Sequence, residues 1–202
     1  MLELPEVQND DANAGCAGGV DATGMPTTNW VRAGQNKLIT AHWENIRRVV
    51  ARGQRSTIFC SMGSINPDGS PHVTPIGTVF LRGDGTGFYF DAHTEALARN
   101  LDIDPRVCLM AVDASRWFWF WSFLQGRFAV PPGVRLNGTV SALRAATPDE
   151  MQEIARRIRP TRWLKGSRLL WSNFTHVRDI TFTSFRPVTY PQMVDGLWRS
   201  AE

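Results

Sequence analysis

Cysteine is scarce in this sequence: Cys16, Cys60 and Cys108 are the three among 202 residues. An odd, sparse set excludes a disulfide framework and suits a reducing compartment, so the expected location is the cytoplasm. No apolar run approaches the roughly 20 residues that span a bilayer, so no membrane partner is expected. The opening MLELPEVQNDDANAG lacks a basic stretch followed by an apolar one, which argues against a secretory signal. Histidine is sparse too. His42, His72, His93 and His176 show no H-x-x-x-H or HExxH spacing, which excludes that kind of zinc enzyme. Excess charge is also lacking: the formal net charge is +3, with a pI near 9.1, too weak to argue for nucleic acid. Internal repeats and an internal domain boundary are absent.

What is present is one domain's worth of chain, 43% hydrophobic, with eight tryptophans. Residues 1–30 are rich in Asp, Asn, Ala, Gly and Thr without apolar periodicity, and are expected to form a disordered or loosely attached arm. Residues 31–202 are then a single domain. From Gln35 to Arg52, Leu38, Ile39, His42, Trp43, Ile46, Val49 and Val50 recur at helical spacing, with Gly53 as the stop. Ser56–Ser64, Pro71–Leu81 and Phe88–Asp91 read as strands joined by tight turns, Asn66-Pro67-Asp68-Gly69 and a run from Arg82 to Gly87. They make an antiparallel meander, and Gly77 marks a bulge or a close approach. Thr94 can cap a helix from Glu95 to Leu101, and Val107–Val112 is a strand. Ser115 can cap a helix in which Trp117, Phe120, Trp121 and Leu124 share one face; being apolar nearly all round, it is expected to be buried. Val134–Arg144 is a strand, Thr147-Pro148-Asp149-Glu150 opens a helix reaching Ile158, and Val177–Val188 is the last strand. Six antiparallel strands with short helices between them are expected to close into a split β-barrel of mixed α+β character, because closure removes exposed edges.

The runs NPDGSPHVTPIGTVF and GTGFYFDAHTEALARNLDIDPRVCLMAV resemble the pyridoxamine 5′-phosphate oxidase-like superfamily, the FMN-binding split barrels. The shared features are a "DG" turn, a strand opening "P-x-V", a strand ending in aromatics, an "A-x-N-L" helix and "DPRV". The later WFWFWSFLQGRFAVPPGVRLNGTV and RWLKGSRLLW look like an uncharacterised branch of it. The resemblance implies a homodimer with FMN at the interface. By position it implies a wall of Thr74, Pro75, Ile76, Gly77 and Thr78, facing Phe90, Asp91, Ala92, His93 and Thr94 at the helix entry. Arg99, one turn further on, and Trp119 are further candidates. The sequence departs from the family where basic phosphate ligands are common: Thr74, Val79, Glu95, Ala96 and Leu97 stand there. Asp91 and Glu95 are expected to add negative charge beside a phosphate, which wants cations or N–H donors.

Other residues carry a bland and a functional reading side by side. His93 sits where ligand groups collect and is the candidate axial ligand if the cofactor is haem, which needs no spacing motif. His72 reads as a surface residue of its strand, and His42 as a core histidine. Trp117, Trp119 and Trp121 read first as core or dimer packing and second as a flat wall for flavin, deazaflavin or haem. Arg156, Arg157, Arg159, Arg162, Lys165 and Arg168 read as a solvated face or as an anion clamp. Cys60 and Cys108 read as inert core thiols. The resulting expectation is an FMN-dependent oxidoreductase acting on a small molecule, with no dedicated acid–base residue to name. The alternatives are a haem protein on the same barrel and a cofactor-free binding module.

Overall fold

The computed structural model describes residues 29–92, 94–161, 163, 174–190, 193 and 197. Helix α1 (Asn29–Thr57) is followed by β1 (Cys60–Ile65), β2 (Pro71–Ile76), β3 (Val79–Leu81) and β4 (Thr86–Phe90). Then come α2 (Glu95–Ile103), β5 (Arg106–Val112), α3 (Arg116–Gln125), β6 (Gly133–Val140), β7 (Arg144–Ala145), α4 (Pro148–Ile158) and β8 (His176–Pro187). The expected arm falls outside the described residues up to position 28, while Asn29 and Trp30 already belong to α1.

One antiparallel sheet runs in the order β2-β1-β5-β6-β8-β4-β3, with β7 pairing β8. The two ends of that order, β2 and β3, are consecutive in the chain. The expected single strand Pro71–Leu81 is therefore broken at Gly77 and Thr78, and that corner joins the sheet's two edges. With β2 and β3 counted as one bent strand and the two-residue β7 set aside, the barrel has the six strands expected. The meander stands as well: β1 pairs β2 and β3 pairs β4. The inner face is filled from α1 by Ile39, Trp43, Ile46, Val49 and Val50, packed on Met62, Leu109, Leu136 and Ile180. A second, outer cluster of Phe88, Phe90, Phe174 and Val177 lies under Ile154 of α4. That helix starts with a complete capping box between Thr147 and Glu150, as its sequence foretells.

Several local expectations are corrected. Gly53 does not stop α1, which continues to Thr57. Its role is close approach: a Cβ there would meet Val112 N at 3.1 Å and Ala111 Cβ at 3.2 Å. The helix ends instead at Ile58, whose φ of 73° is strained for a β-branched residue, so β1 starts at Cys60 and Ser56 is helical. Thr94 makes no side-chain cap on α2; its hydroxyl donates to Asp91 Oδ1. Ser115 makes none on α3 either. Strand β6 ends at Val140 rather than Arg144, after a bulge at Asn137/Gly138. Finally, α3 is not buried. Ser122 is its one buried residue, whereas Trp117 is 72% exposed and Phe120, Trp121, Phe123 and Leu124 are all exposed. Phe118 and Trp119 pack on Phe128, and the opposite apolar face meets solvent. Periodicity cannot show this, because a helix apolar all round names no side to bury.

Candidate functional site

The wall and the helix entry picked out by resemblance do come together. The Thr78 hydroxyl donates to Phe90 O at 3.1 Å, so the barrel corner is tied to the end of β4. The same corner is held from outside: Arg157 Nη1 donates to Gly77 O and Val79 O, each at 2.9 Å, and its guanidinium lies 3.8 Å over the Phe80 ring. Gln54 adds a bond to Val79 O at 2.9 Å. Arg157 thus builds the barrel rather than clamping an anion, and burial lowers its pKa. Arg162, Lys165 and Arg168 of that basic run lie outside the described residues, as does His93.

Asp91 is not a loose negative charge at the helix entry. Its Oδ2 accepts from Arg178 Nε at 2.7 Å, with both side chains almost fully buried, and Arg178 Nη2 reaches Asp102 of α2 at 2.8 Å. Arg178 is the functional-looking residue that sequence reasoning passes over. In the alternating β8 pattern it occupies an inward position beside Ile180 and Phe182, and only its tertiary partners make that tolerable. Tyr89 faces the same interior. Its hydroxyl is buried without a hydrogen-bond partner among the described residues, and burial, seconded by Asp91, drives its pKa far above the ordinary phenol value.

Between Thr74–Thr78 and Phe90–Arg99, the one Arg or Lys is Arg99, exposed and one turn into α2. Glu95 is exposed at the first position of α2. The end of a helix supplies about half a positive charge, which Glu95 opposes. This entry does not fit a phosphate dianion. Trp119 sits elsewhere: its Nε1 donates to Asp113 O at 2.7 Å and its ring packs on Phe123, Phe128 and Tyr190.

A groove of about 740 Å³ lies against the outer face of the sheet, lined among others by Gly63, Val73, Arg106, Cys108, Asn137 and Thr183. Register fixes what that face presents. One row across the strands runs Val73, Gly63, Cys108, Asn137 and Ser184. The next row, about 7 Å along the strands, runs Pro75, Ser61, Met110, Arg135 and Arg186. Asn137 Nδ2 donates to Ser184 Oγ at 3.2 Å, which confirms that these positions share a face. The first three strands give a flat apolar floor: Val73 is 65% exposed, Met110 is 38% exposed, and Gly63 adds no side chain. Cys108 is half-buried in this floor, not in the core; Cys60 is the core thiol, pushed up to about 12 by burial. His72 is half-buried at the groove's edge, not simply on the surface, with Nδ1 at 3.3 Å from Thr74 Oγ1 and 3.5 Å from Ser64 Oγ. His42 packs its ring on Phe185. No group of three metal-ligating side chains occurs among the described residues, and no helix among them is long and apolar enough to cross a membrane.

The family model for pyridoxamine 5′-phosphate oxidase matches residues 42–181. The chain belongs to the pyridoxamine 5′-phosphate oxidase family. That span takes in β1 to β4, α2, β5, β6 and the start of β8. No curated protein matches the chain. Among solved structures, an FMN-binding protein from Syntrophomonas wolfei subsp. wolfei superposes with a TM-score of 0.53 at 12% identity, covering 80% of this chain and 92% of that one. HupZ of Group A Streptococcus matches at TM-score 0.47 and 14% identity, over 72% of this chain and 92% of its own. HutZ, the haem storage protein of Vibrio cholerae, matches at 0.46 and 13%, over 70% and 94%. The split-barrel fold read from the meander is shared with the Syntrophomonas wolfei protein.

Proposed function

We propose that this protein is a flavin-binding redox protein of the pyridoxamine 5′-phosphate oxidase family that acts on a small molecule. The observation that carries the reading is the family match over residues 42–181, which takes in every residue lining the groove except Thr183. The flat floor of Val73, Gly63, Cys108 and Met110 supports it, since a planar ring system buries well on such a surface. A bound flavin supplies the electron or hydride transfer that the side chains cannot. The chain's own residues position and exclude. The floor seats a ring, Asn137 and Ser184 offer hydrogen bonds beside it, and the second copy of a homodimer covers the open face. The location that goes with this reading is the cytoplasm.

His72 favours a second reading. Its imidazole lies at the groove edge with Nδ1 turned to the hydroxyls of Thr74 and Ser64, and a single histidine needs no spacing motif to ligate haem iron. It makes haem the alternative cofactor.

The test is to purify the protein and titrate it separately with FMN and with haem, following absorbance. A saturable flavin complex supports the first reading. A haem complex lost in His72→Ala, with no flavin taken up, replaces it with the second. Uptake of neither leaves a cofactor-free binding module.

A further inference from the structure

Helix α3 turns Trp117, Phe120, Trp121 and Leu124 to solvent along about 10 Å of its length, and Phe123 is exposed beside them. The patch does not stop at the helix. The Ser56 hydroxyl accepts from the Ala114 amide at 2.9 Å, just ahead of α3, and two residues after Ser56 come Ile58, 76% exposed, and Phe59, also exposed. Ile58 takes a φ of 73°, which a β-branched residue adopts only under strain, and it does so with its side chain in water. Against α3 lies a cleft of about 260 Å³, lined among others by Trp117, Phe118, Trp121, Arg127 and Val130.

Charge decides what suits this surface. Arg55 precedes Ser56, Arg116 opens α3 and Arg127 follows it; all three are exposed, and none is paired with a carboxylate among the described residues. The nearest acid in the chain, Asp113, is buried and bound to Arg52, and the next one along is Asp149. Other exposed apolar side chains on helices lack this setting: Ile103 stands between Asp102 and Asp104, and Met151 follows Asp149 and Glu150. A second copy of the chain buries the α3 rings only by bringing like charges together. An anionic bilayer accepts the rings at its acyl–headgroup boundary and sets phosphates against the guanidinium groups at once. Tryptophan suits that boundary, having an apolar ring and an N–H for the headgroups. The missing 20-residue apolar run excludes a span, not a contact of this kind.

We propose that the protein docks on an anionic membrane surface through the exposed face of α3, with Ile58 and Phe59 beside it. The rings enter the headgroup region, and Arg55, Arg116 and Arg127 meet lipid phosphates. No groove-lining residue takes part, so the proposal stands apart from the flavin reading.

The test is co-sedimentation of the full-length protein with vesicles of phosphatidylcholine alone, and of phosphatidylcholine with roughly one third phosphatidylglycerol, at low and high salt. Wild type should bind the anionic vesicles about tenfold or more tightly than the neutral ones, and high salt should remove most of that preference. Trp117→Gln with Trp121→Gln should weaken binding to anionic vesicles by about tenfold or more. Arg116→Gln with Arg127→Gln should remove most of the anionic preference and leave binding to neutral vesicles within about threefold of wild type. Both variants should keep nearly the wild-type melting temperature. A check that needs no variant is quenching of wild-type tryptophan fluorescence by brominated acyl chains in anionic vesicles. Absence of that quenching, equal binding to both vesicles, or no binding to either overturns the proposal. Binding that a well-folded tryptophan variant retains in full also overturns it, since any basic chain would then do the same. Wild type that stays off vesicles, while the tryptophan variant loses self-association in solution, assigns α3 to a second copy instead.

Discussion

At the residue scale, the charges that matter most are those removed from water. Arg178 and Asp91 are almost fully buried, and the pair sits where β4, β8 and α2 meet. Taking away one member of a buried pair leaves the other uncompensated. We expect Arg178→Met to destabilise the protein by about 3–5 kcal/mol in urea unfolding, with flavin affinity in the surviving fold little changed, because Arg178 faces away from the groove. Glu150 tells a second story. Arg144 above all, then the Thr147 amide and Arg82, hold its carboxyl down at about 2, against an ordinary 4.5. A depressed carboxyl contributes stability that is complete above its unfolded value and is lost as pH falls through the folded one. The protein should therefore lose stability between about pH 4.5 and 2. In Glu150→Gln that part of the loss should be absent, at a cost near neutral pH on the order of 1–2 kcal/mol once the partly exposed arginines are allowed for. Thermal melts of both proteins across that range check it; equal slopes would refute the assignment.

At the scale of elements, α3 is the one whose sequence and placement disagree. Its face of Trp117, Phe120, Trp121 and Leu124 follows the helical repeat as a buried stripe does, yet it is exposed. Those side chains present on the order of 400–500 Å² of mostly apolar surface, as large as the biggest patches that monomers expose, which are often functional. Residues 114–148 contain Arg116, Arg127, Arg135 and Arg144 and no acid, so like-charge repulsion weakens a purely face-to-face pairing of two α3 helices. We expect Trp117→Gln with Trp121→Gln to reduce self-association in sedimentation by at least several-fold and to leave the monomer's melting temperature nearly unchanged. A large fall in melting temperature would show that these rings are packed within the subunit. The element α4 behaves in the opposite way. Its start is announced by Thr147-Pro148-Asp149-Glu150, and its capping box forms as the spacing requires.

At the scale of the whole molecule, the sheet closes on itself through Gly77 and Thr78 and encloses α1, but it leaves one broad outer face uncovered. An exposed floor next to an exposed aromatic helix is what a homodimer would cover. A dimer at micromolar concentration in sedimentation equilibrium is the expected outcome, and a monomer there would remove the second wall of the groove. The family, the six strands and the order of the helices were legible in the sequence, because turn residues and alternation are local signals. The groove was not: Cys108, Asn137 and Ser184 lie far apart in the chain and meet only through strand register. His72 looked like an ordinary surface position for the same reason.

The sequence by itself determined the order of the strands and helices, that no H-x-x-x-H or HExxH spacing is present, and that the usual basic residues are missing from the α2 entry. Each of these follows from the chemistry of neighbouring residues. Only the tertiary structure decided which arginines are occupied. Twenty-two Arg and Lys side chains read alike along a chain, because a cation's role depends on the acid, carbonyl or ring that folding brings within about 3–4 Å. Folding gave Arg178 two aspartates and Arg157 two carbonyls, and set Arg135 beside Arg186 on neighbouring strands with no carboxylate among the described residues.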